Sequence, residues 1–254
     1  MAGQTVVASA NILYTLDRHD ARTTLTQVLE SEPDLVGLQE WYVARLRLLR
    51  EFGDVRVVPG WRTGRLGTRH DAAYHWVSAV AGGNVVGARA DRFEPVSARV
   101  VFLSCLGRSD RPYRFLRTEP PREVTVGVFR DRFRDRTVAL MSYHLVPGME
   151  AGSGYRPDRT RLVRRHRSEV RRLERLVAEH QQAGQAVYAV GDSNLDGLRL
   201  AGLTSAWEGR EHHPGTIGSG TRKLDDVHGP GPASEVRLLT TPSDHRALVA
   251  TRPD

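Results

Sequence analysis

Cysteine and lysine are almost missing from this 254-residue chain. Each occurs once, as Cys105 and Lys223. A lone cysteine makes no internal disulfide and builds no cysteine-based zinc site, so a reducing, cytoplasmic setting is the expectation. No apolar run approaches the roughly 18 residues that a membrane span needs. The opening MAGQTVVASANIL lacks the basic start and apolar stretch of a secretory signal. There is no internal repeat, no long linker and no H-E-x-x-H helix. The glycines of Gly218–Lys223 lack the spacing of a Walker A loop.

What the chain does have is core-forming residues and arginine. Hydrophobic residues make up 39% and charged residues 26%, too apolar for a disordered polymer and typical of a globular domain. The length accommodates one large domain, expected to span 1–254. The net charge is +7, from 37 basic and 30 acidic residues. Because nearly all the basic residues are arginine, the surplus consists of planar forks that hold phosphate oxygens two at a time. That favours phosphate-bearing partners.

Short valine-rich runs bounded by Gly, Pro, Asp or Asn predict strands at Thr5–Ala8, Leu35–Leu38, Ala72–Val80, Val96–Leu103, Val124–Phe129, Thr137–Ser142, Ala186–Val190 and Ala247–Ala250. Glu123–Leu145 reads as a hairpin joined by Arg130–Asp135. One helix is expected from an Asp20 N-cap to just before Pro33, and a second after Trp41 as far as Gly53. The third runs from about Asp158 to Gln182, with Leu162, His166, Val170, Leu173 and Val177 on one face. Nine arginines between Arg156 and Arg175 crowd this third helix. They read as a solvated outer face, with a nucleic-acid arm as the rival reading. Gly60–His70, Met149–Pro157 and Gly209–Gly220 read as loops. Strands dominate without a regular βαβ alternation, so a Rossmann sheet is not expected.

Chemistry-bearing residues collect where these strands stop. The first strand runs into Asn11, DLVGLQE into Gln39 and Glu40, VALMSYHL into His144, and AVYAVGDSN into Asp192 and Asn194. SDH sets Asp244 and His245 immediately before the last strand. Singly, each has a plain structural reading: a turn cap, a helix-dipole acid, a core histidine. Five strands delivering carboxylates, amides and imidazoles together point to a site on a rigid scaffold.

In this order, Asn11, LQE at Leu38–Glu40, His144, GDSN at Gly191–Asn194, Asp225 and SDH at Ser243–His245 resemble the endonuclease/exonuclease/phosphatase family, whose fold is that of DNase I. The matches span residues 11 to 245. The fifth block departs from the family pattern, with Asp226 standing where an aromatic is usual. The resemblance implies a four-layer α/β sandwich, two packed mixed sheets flanked by helices. It also implies divalent-metal hydrolysis of phosphate esters. Glu40, Asn11 and Asp244 would hold Mg²⁺, with Mn²⁺ substituting. His144, Asp192, Asn194, Asp225 and His245 would carry catalysis, and His144, Asn194 and Arg156 would contact substrate.

Electrostatics supports a cation. Like charges about 4 Å apart cost on the order of 4 kcal/mol per pair at an effective dielectric of 20. Four converging acids therefore call for a compensating ion. The basic charge makes nucleic acid the expected substrate, DNA ahead of RNA. Phospholipids and small nucleotide phosphates are the rival substrates, and a non-catalytic basic nucleic-acid-binding protein is the rival class. A serine hydrolase built on Gly191-Asp192-Ser193 is disfavoured, because Leu195 breaks the G-x-S-x-G pattern.

Overall fold

A computed structural model describes residues 3–58, 72–80, 82–111, 115–152, 154–210, 212–218 and 220–253. The expected loop Gly60–His70 lies outside them. In chain order the strands are β1 (Gln4–Asn11), β2 (Leu35–Gln39), β3 (Gly53–Val58), β4 (Tyr74–Ala79), β5 (Val85–Arg89), β6 (Phe93–Ser104), β7 (Gly107–Arg108), β8 (Thr118–Glu119) and β9 (Arg122–Asp131). There follow β10 (Arg136–His144), β11 (Glu150–Ala151), β12 (Gly154–Tyr155), β13 (Ala186–Asp192), β14 (Thr204–Ser205), β15 (Asp225–Gly229), β16 (Glu235–Leu239) and β17 (Ala247–Pro253). The helices are α1 (Arg18–Leu29), α2 (Leu46–Leu49) and α3 (Thr160–Gln182).

Two mixed sheets form the centre. One has the order β16-β17-β1-β2-β5-β4-β3, and the other β14-β15-β13-β10-β9-β6. The pairs β1/β2, β3/β4 and β10/β13 are parallel, and the remaining neighbours are antiparallel. Strands buried on both faces read as continuous apolar runs, as in β2 and β13. Val7, Leu35, Val86, Phe129, Leu140 and Val190 fill the space between the sheets. The outer face of the first sheet is covered by Leu25 and Val28 of α1 and by Leu48 and Leu49 of α2, packed with Trp41 and Trp76. Leu173, Leu176 and Val177 of α3 cover the second sheet over Val126, Met141 and Val187. The result is the four-layer sandwich, helix–sheet–sheet–helix, expected from the resemblance.

Local chemistry moved some boundaries. The cap of α1 is Asp17, whose carboxylate accepts the Asp20 N–H at 2.8 Å, so Asp20 sits in the first turn rather than before it. The helix expected after Trp41 shrinks to a 3₁₀ turn at Val43–Arg45 and one α-turn. Met149–Pro157 contains the small β11/β12 hairpin. Strands β3, β5, β15 and β16 had no clear sequence signal, because charge or glycine interrupts their apolar pattern. The β9/β10 hairpin forms as expected. The last face of α3 includes His166, Glu169 and His180 as buried positions, so its buried stripe is partly polar.

Two glycines let the sheets approach beneath the strand ends. A Cβ on Gly37 would lie 2.0 Å from Val190 Cγ2 on the facing sheet. Gly191, at φ 155°, would drive a Cβ to 2.0 Å from the Tyr143 carbonyl oxygen. Around Gly37 a buried polar chain ties the sheets. Ser9 Oγ donates to Gln39 Oε1 (3.4 Å), Gln39 Nε2 to Ser142 Oγ (3.0 Å), and Ser142 Oγ to the Leu38 carbonyl (2.9 Å).

Candidate active site

Register brings the chemical residues to one edge. Asn11 pairs with Gln39, His144 with Asp192, and Asp192 with Asp225. These pairings place the carboxyl ends of β1, β2, β10 and β13 beside the start of β15. The loop before β17 completes the rim: Ser243 Oγ donates to the Asn11 carbonyl at 2.7 Å and accepts the Leu13 N–H at 3.0 Å. The serine of SDH is thus a clasp that sets the neighbouring histidine. His245 is further fixed by a bridge to Ile217.

The edge opens into a cleft of about 660 Å³ lined by Asn11, Glu40, His144, Asp192, Asn194 and His245, among others. Asp192 is buried and accepts twice: from the Asn194 N–H at Oδ1 (2.7 Å) and from Asn11 Nδ2 at Oδ2 (3.0 Å). His144 Nε2 lies 3.5 Å from the same Oδ2, and its Nδ1 lies 4.0 Å from Glu40 Oε1. His245 Nδ1 meets Asp225 Oδ2 at 2.7 Å. Strand alternation separates the two acids of the fifth block. Asp225 faces His245, whereas Asp226 accepts from Ser205 Oγ at 2.5 Å and the Ala206 N–H at 3.1 Å. The aspartate that replaces the usual aromatic is therefore spent on structure.

Burial and charge set the protonation states. Burial, reinforced by Asp225, pushes the Asp192 carboxyl up to about 7. Burial works against charge on His245, but Asp225, Asp192 and Asp244 outweigh it and hold the imidazolium up to about 10. Burial drives His144 well below its usual value, helped by Arg122 and His245, so it is neutral at pH 7. At neutral pH the edge holds one charged and one neutral imidazole, with a carboxyl poised at half-ionisation.

Glu40 sits at φ 57°, a costly conformation for glutamate. The Tyr14 N–H donates to its Oε2 at 2.9 Å, and the Trp41 N–H anchors the next residue on the Gly83 carbonyl at 2.8 Å. The other Glu40 oxygen, Oε1, stands on the His144 side of the cleft. Among the described residues, two buried acceptors at this edge have no partner: Asn11 Oδ1 and Asp225 Oδ1. Such orphans are costly unless something donates to them or coordinates them.

The donor set therefore suits a hard cation, which takes oxygen ligands from one or two carboxylates and keeps its waters. Asp192, Asp225 and His245 present ligand atoms within 4.8 Å of one another. However, a protonated imidazole does not ligate a metal. The Glu40–Asn11 side fits a divalent ion better. Asp244 is exposed, accepts from Ser243 Oγ at 3.4 Å, and acts on the site through the charge of His245. Arg156 is not brought to the cleft; it forks onto Asp158 at 3.0 and 2.8 Å. Ser193 is buried, and its Oγ donates to the Leu195 and Leu224 carbonyls. That engagement rules it out as a serine nucleophile.

The structure also adds residues that the motifs did not point to. Arg122 begins β9 beside the end of β10 and lines the cleft, its buried Nε without a partner among the described residues. Glu123 accepts from the Gly83 N–H at 3.0 Å and from Asn84 Nδ2 at 3.1 Å. Tyr14 and Tyr42 stand at the mouth, 61% and 45% exposed, edge to face with centroids 6.4 Å apart. The hairpin reading held the signal for Arg122, since the first residue of β9 must flank the last of β10.

No family model matches the sequence, and no curated protein matches it. Solved structures do. D. rerio TDP2 in complex with a single-strand DNA product aligns with TM-score 0.63 at 16% identity, over 98% of both chains. The human Nocturnin catalytic domain with bound sulfate aligns with TM-score 0.65 at 17% identity, over 99% of this chain and 94% of that one. A mannosyl-6-phosphatase from Bacteroides thetaiotaomicron aligns with TM-score 0.63 at 16% identity, over 97% and 98%. At this identity the likeness is one of architecture, and it agrees with the motif order read along the chain. The chain has the DNase I-like fold, which it shares with an endonuclease/exonuclease/phosphatase family protein from Bacteroides thetaiotaomicron (TM-score 0.64, 15% identity, over 98% and 97% of the two chains).

Proposed function

We propose that this protein is a divalent-metal-dependent phosphodiesterase that cleaves nucleic acid, with DNA as its substrate. The observation that carries the proposal is the convergence of Glu40, His144, Asp192 and His245 on one cleft, with Asp225 buried behind His245. Glu40 and Asn11 Oδ1 would hold Mg²⁺ or Mn²⁺, with Asp244 adding negative charge at the rim. When bound, the ion neutralises charge on the phosphate and polarises its oxygens.

The chain's own groups do the rest. Asp192, oriented by the Asn194 N–H and the Asn11 amide, is the base for the attacking water. A carboxyl poised at about 7 is matched to that task at neutral pH. His245 offers its free ring nitrogen to the scissile phosphate while Asp225 holds the proton in place. The neutral His144 and the buried Arg122 donate to phosphoryl oxygens as charge builds. Asn194 sets the catalytic turn, its Nδ2 donating to the Leu145 carbonyl at 3.1 Å.

Three features favour nucleic acid over other phosphate esters. The charge is +7, the cleft mouth carries a tyrosine pair on which bases can stack, and the fold is shared with a nucleic-acid complex. The test incubates purified protein with plasmid and with labelled oligonucleotides, with and without EDTA. Metal-dependent cleavage lost in Asp192→Asn is expected. Phospholipid or sugar-phosphate hydrolysis with DNA left intact would remove the nuclease reading. DNA binding without cleavage at any metal concentration would leave only a binding protein.

A further inference from the structure

A second basic concavity, of about 510 Å³, lies at the start of α3, where Arg156, Arg164, Arg167 and Arg171 surround Tyr155. The arginines of α3 are used in two different ways. Those turned toward the neighbouring strands and loops are consumed. Arg165 pairs with Glu169 at 2.9 Å, and Arg172 donates to the Phe102 and Leu103 carbonyls at 3.2 Å. Those turned toward the concavity are not. Among the described residues no carboxylate pairs with Arg164 or Arg171, and Arg167 lies over the Tyr155 ring at 4.8 Å. Asp158, close by at the start of the helix, is already held by Arg156.

The concavity is also tied to the cleft. Tyr155 Oη bonds His166 Nδ1 at 3.0 Å, and His166 Nε2 donates to the carbonyl of Ser193, between Asp192 and Asn194, at 2.8 Å. From the other side, Arg159 and the Arg161 N–H hold Asp110, whose chain neighbour Arg111 lines the cleft. Arg164, Arg167 and Arg171 follow one another at i, i+3 and i+7, a row about 10 Å long at 1.5 Å per residue. Over that length one DNA strand presents more than one phosphate, so neighbouring arginines can each take one.

We infer that this concavity is an accessory phosphate track that holds the backbone of the nucleic-acid strand whose phosphodiester lies in the cleft. The inference rests on the nucleic-acid reading above. Its contacts are to phosphates, so it adds affinity and direction without sequence preference.

The test measures binding of a short fluorescein-labelled single-stranded DNA by anisotropy, in EDTA, across a salt series. The proteins are the intact wild type and the double variant Arg164→Ala, Arg171→Ala. The double variant is expected to bind about tenfold more weakly, with a salt slope shallower by about 1.4, at 0.7 per lost phosphate contact on a single strand. Its metal-dependent turnover of bis(4-nitrophenyl) phosphate, too small to reach the track, is expected to be unchanged. Equal affinity and slope for variant and wild type overturns the track while leaving the nuclease reading intact. Loss of binding to anionic phospholipid vesicles with DNA affinity unchanged also overturns it, in favour of a membrane surface. A wild type that turns over the small diester but binds no DNA overturns the track and the nucleic-acid reading together.

Discussion

The two edges of the sandwich treat buried charge in opposite ways, though they are built from the same strands. At the edge where β1, β2 and β10 begin, Asp34 and Asp131 are both buried. Arg92 bridges them, at 2.7 Å to each. Arg89 adds 3.1 Å to Asp34, and Arg134 adds 3.1 Å to Asp131. Both acids are answered by guanidinium groups, and Arg92 and Arg134 also tie in the Gln4 carbonyl. At the opposite edge, Asp192 and Asp225 are equally buried, but among the described residues no guanidinium pairs with either: Asp192 accepts from the Asn11 amide and the Asn194 N–H, Asp225 meets His245, and the acceptors Asn11 Oδ1 and Asp225 Oδ1 stay unfilled. Paired charge makes a clamp between sheets. Charge left open suits the ion and phosphate of the proposed function.

The largest effect that would test this contrast is on stability. Arg92→Ala removes the bridge shared by two buried carboxylates and is expected to cost about 3–5 kcal/mol. A fall in Tm on the order of 10 °C in calorimetry corresponds, at roughly 2–4 °C per kcal/mol for a chain of this size. A Tm loss of only a degree or two would mean that the clamp is not what holds that edge.

Removing charge at the other edge is expected to spare the fold and abolish turnover. Asp192→Asn and His245→Ala should each lower kcat by about 10³-fold, in the range of a lost base or oxyanion donor. The Tm of Asp192→Asn should not fall at pH 8. The folded-state pKa of Asp192 is raised, so its ionised form opposes folding, and the stability it contributes in its protonated form is lost as pH climbs through about 7. In EDTA, the Tm difference between Asp192→Asn and wild type should therefore grow from pH 5 to pH 8. A constant difference would show that Asp192 is not desolvated.

The pH–rate profile sharpens the comparison further. Activity should rise as Asp192 loses its proton near 7 and decline as His245 loses its own near 10. Added Mg²⁺ should move the rising limb to lower pH, because a cation favours the carboxylate. A profile with no alkaline limb would remove the imidazolium from the mechanism.

The smallest effect is expected at the cleft mouth. Tyr42→Ala should raise KM for oligonucleotides by about tenfold, the size of one lost stacking contact. Turnover of bis(4-nitrophenyl) phosphate should stay unchanged. Equal losses on both substrates would place Tyr42 in the catalytic machinery instead.

Much of this was legible along the chain because strands carry local signals. Valine-rich runs ending in Asn11, Glu40, His144 and Asp192 marked both the strands and the side of the sheet where chemistry would sit. Strands β3, β5, β15 and β16 escaped notice, since arginine, glycine and aspartate interrupt their apolar alternation and only pairing partners stabilise them. The Asp17 cap was displaced by three residues from the sequence reading because Asp17 and Asp20 are equally good capping chemistry. Which one caps depends on where α1 packs through Ala21 and Leu25.

By itself, the sequence determined the inventory and its order: acids, amides and imidazoles at strand ends, an arginine surplus, and a helix with one apolar stripe. Those follow from residue type and period, which need no neighbours. Only the tertiary structure decided that Asp226 turns away onto Ser205 and Ala206, that Arg156 stands apart from the cleft while Arg122 enters it, and that Asp192 titrates near 7. Each depends on register, burial and charges from distant segments, and these exist only once the two sheets have closed on one another.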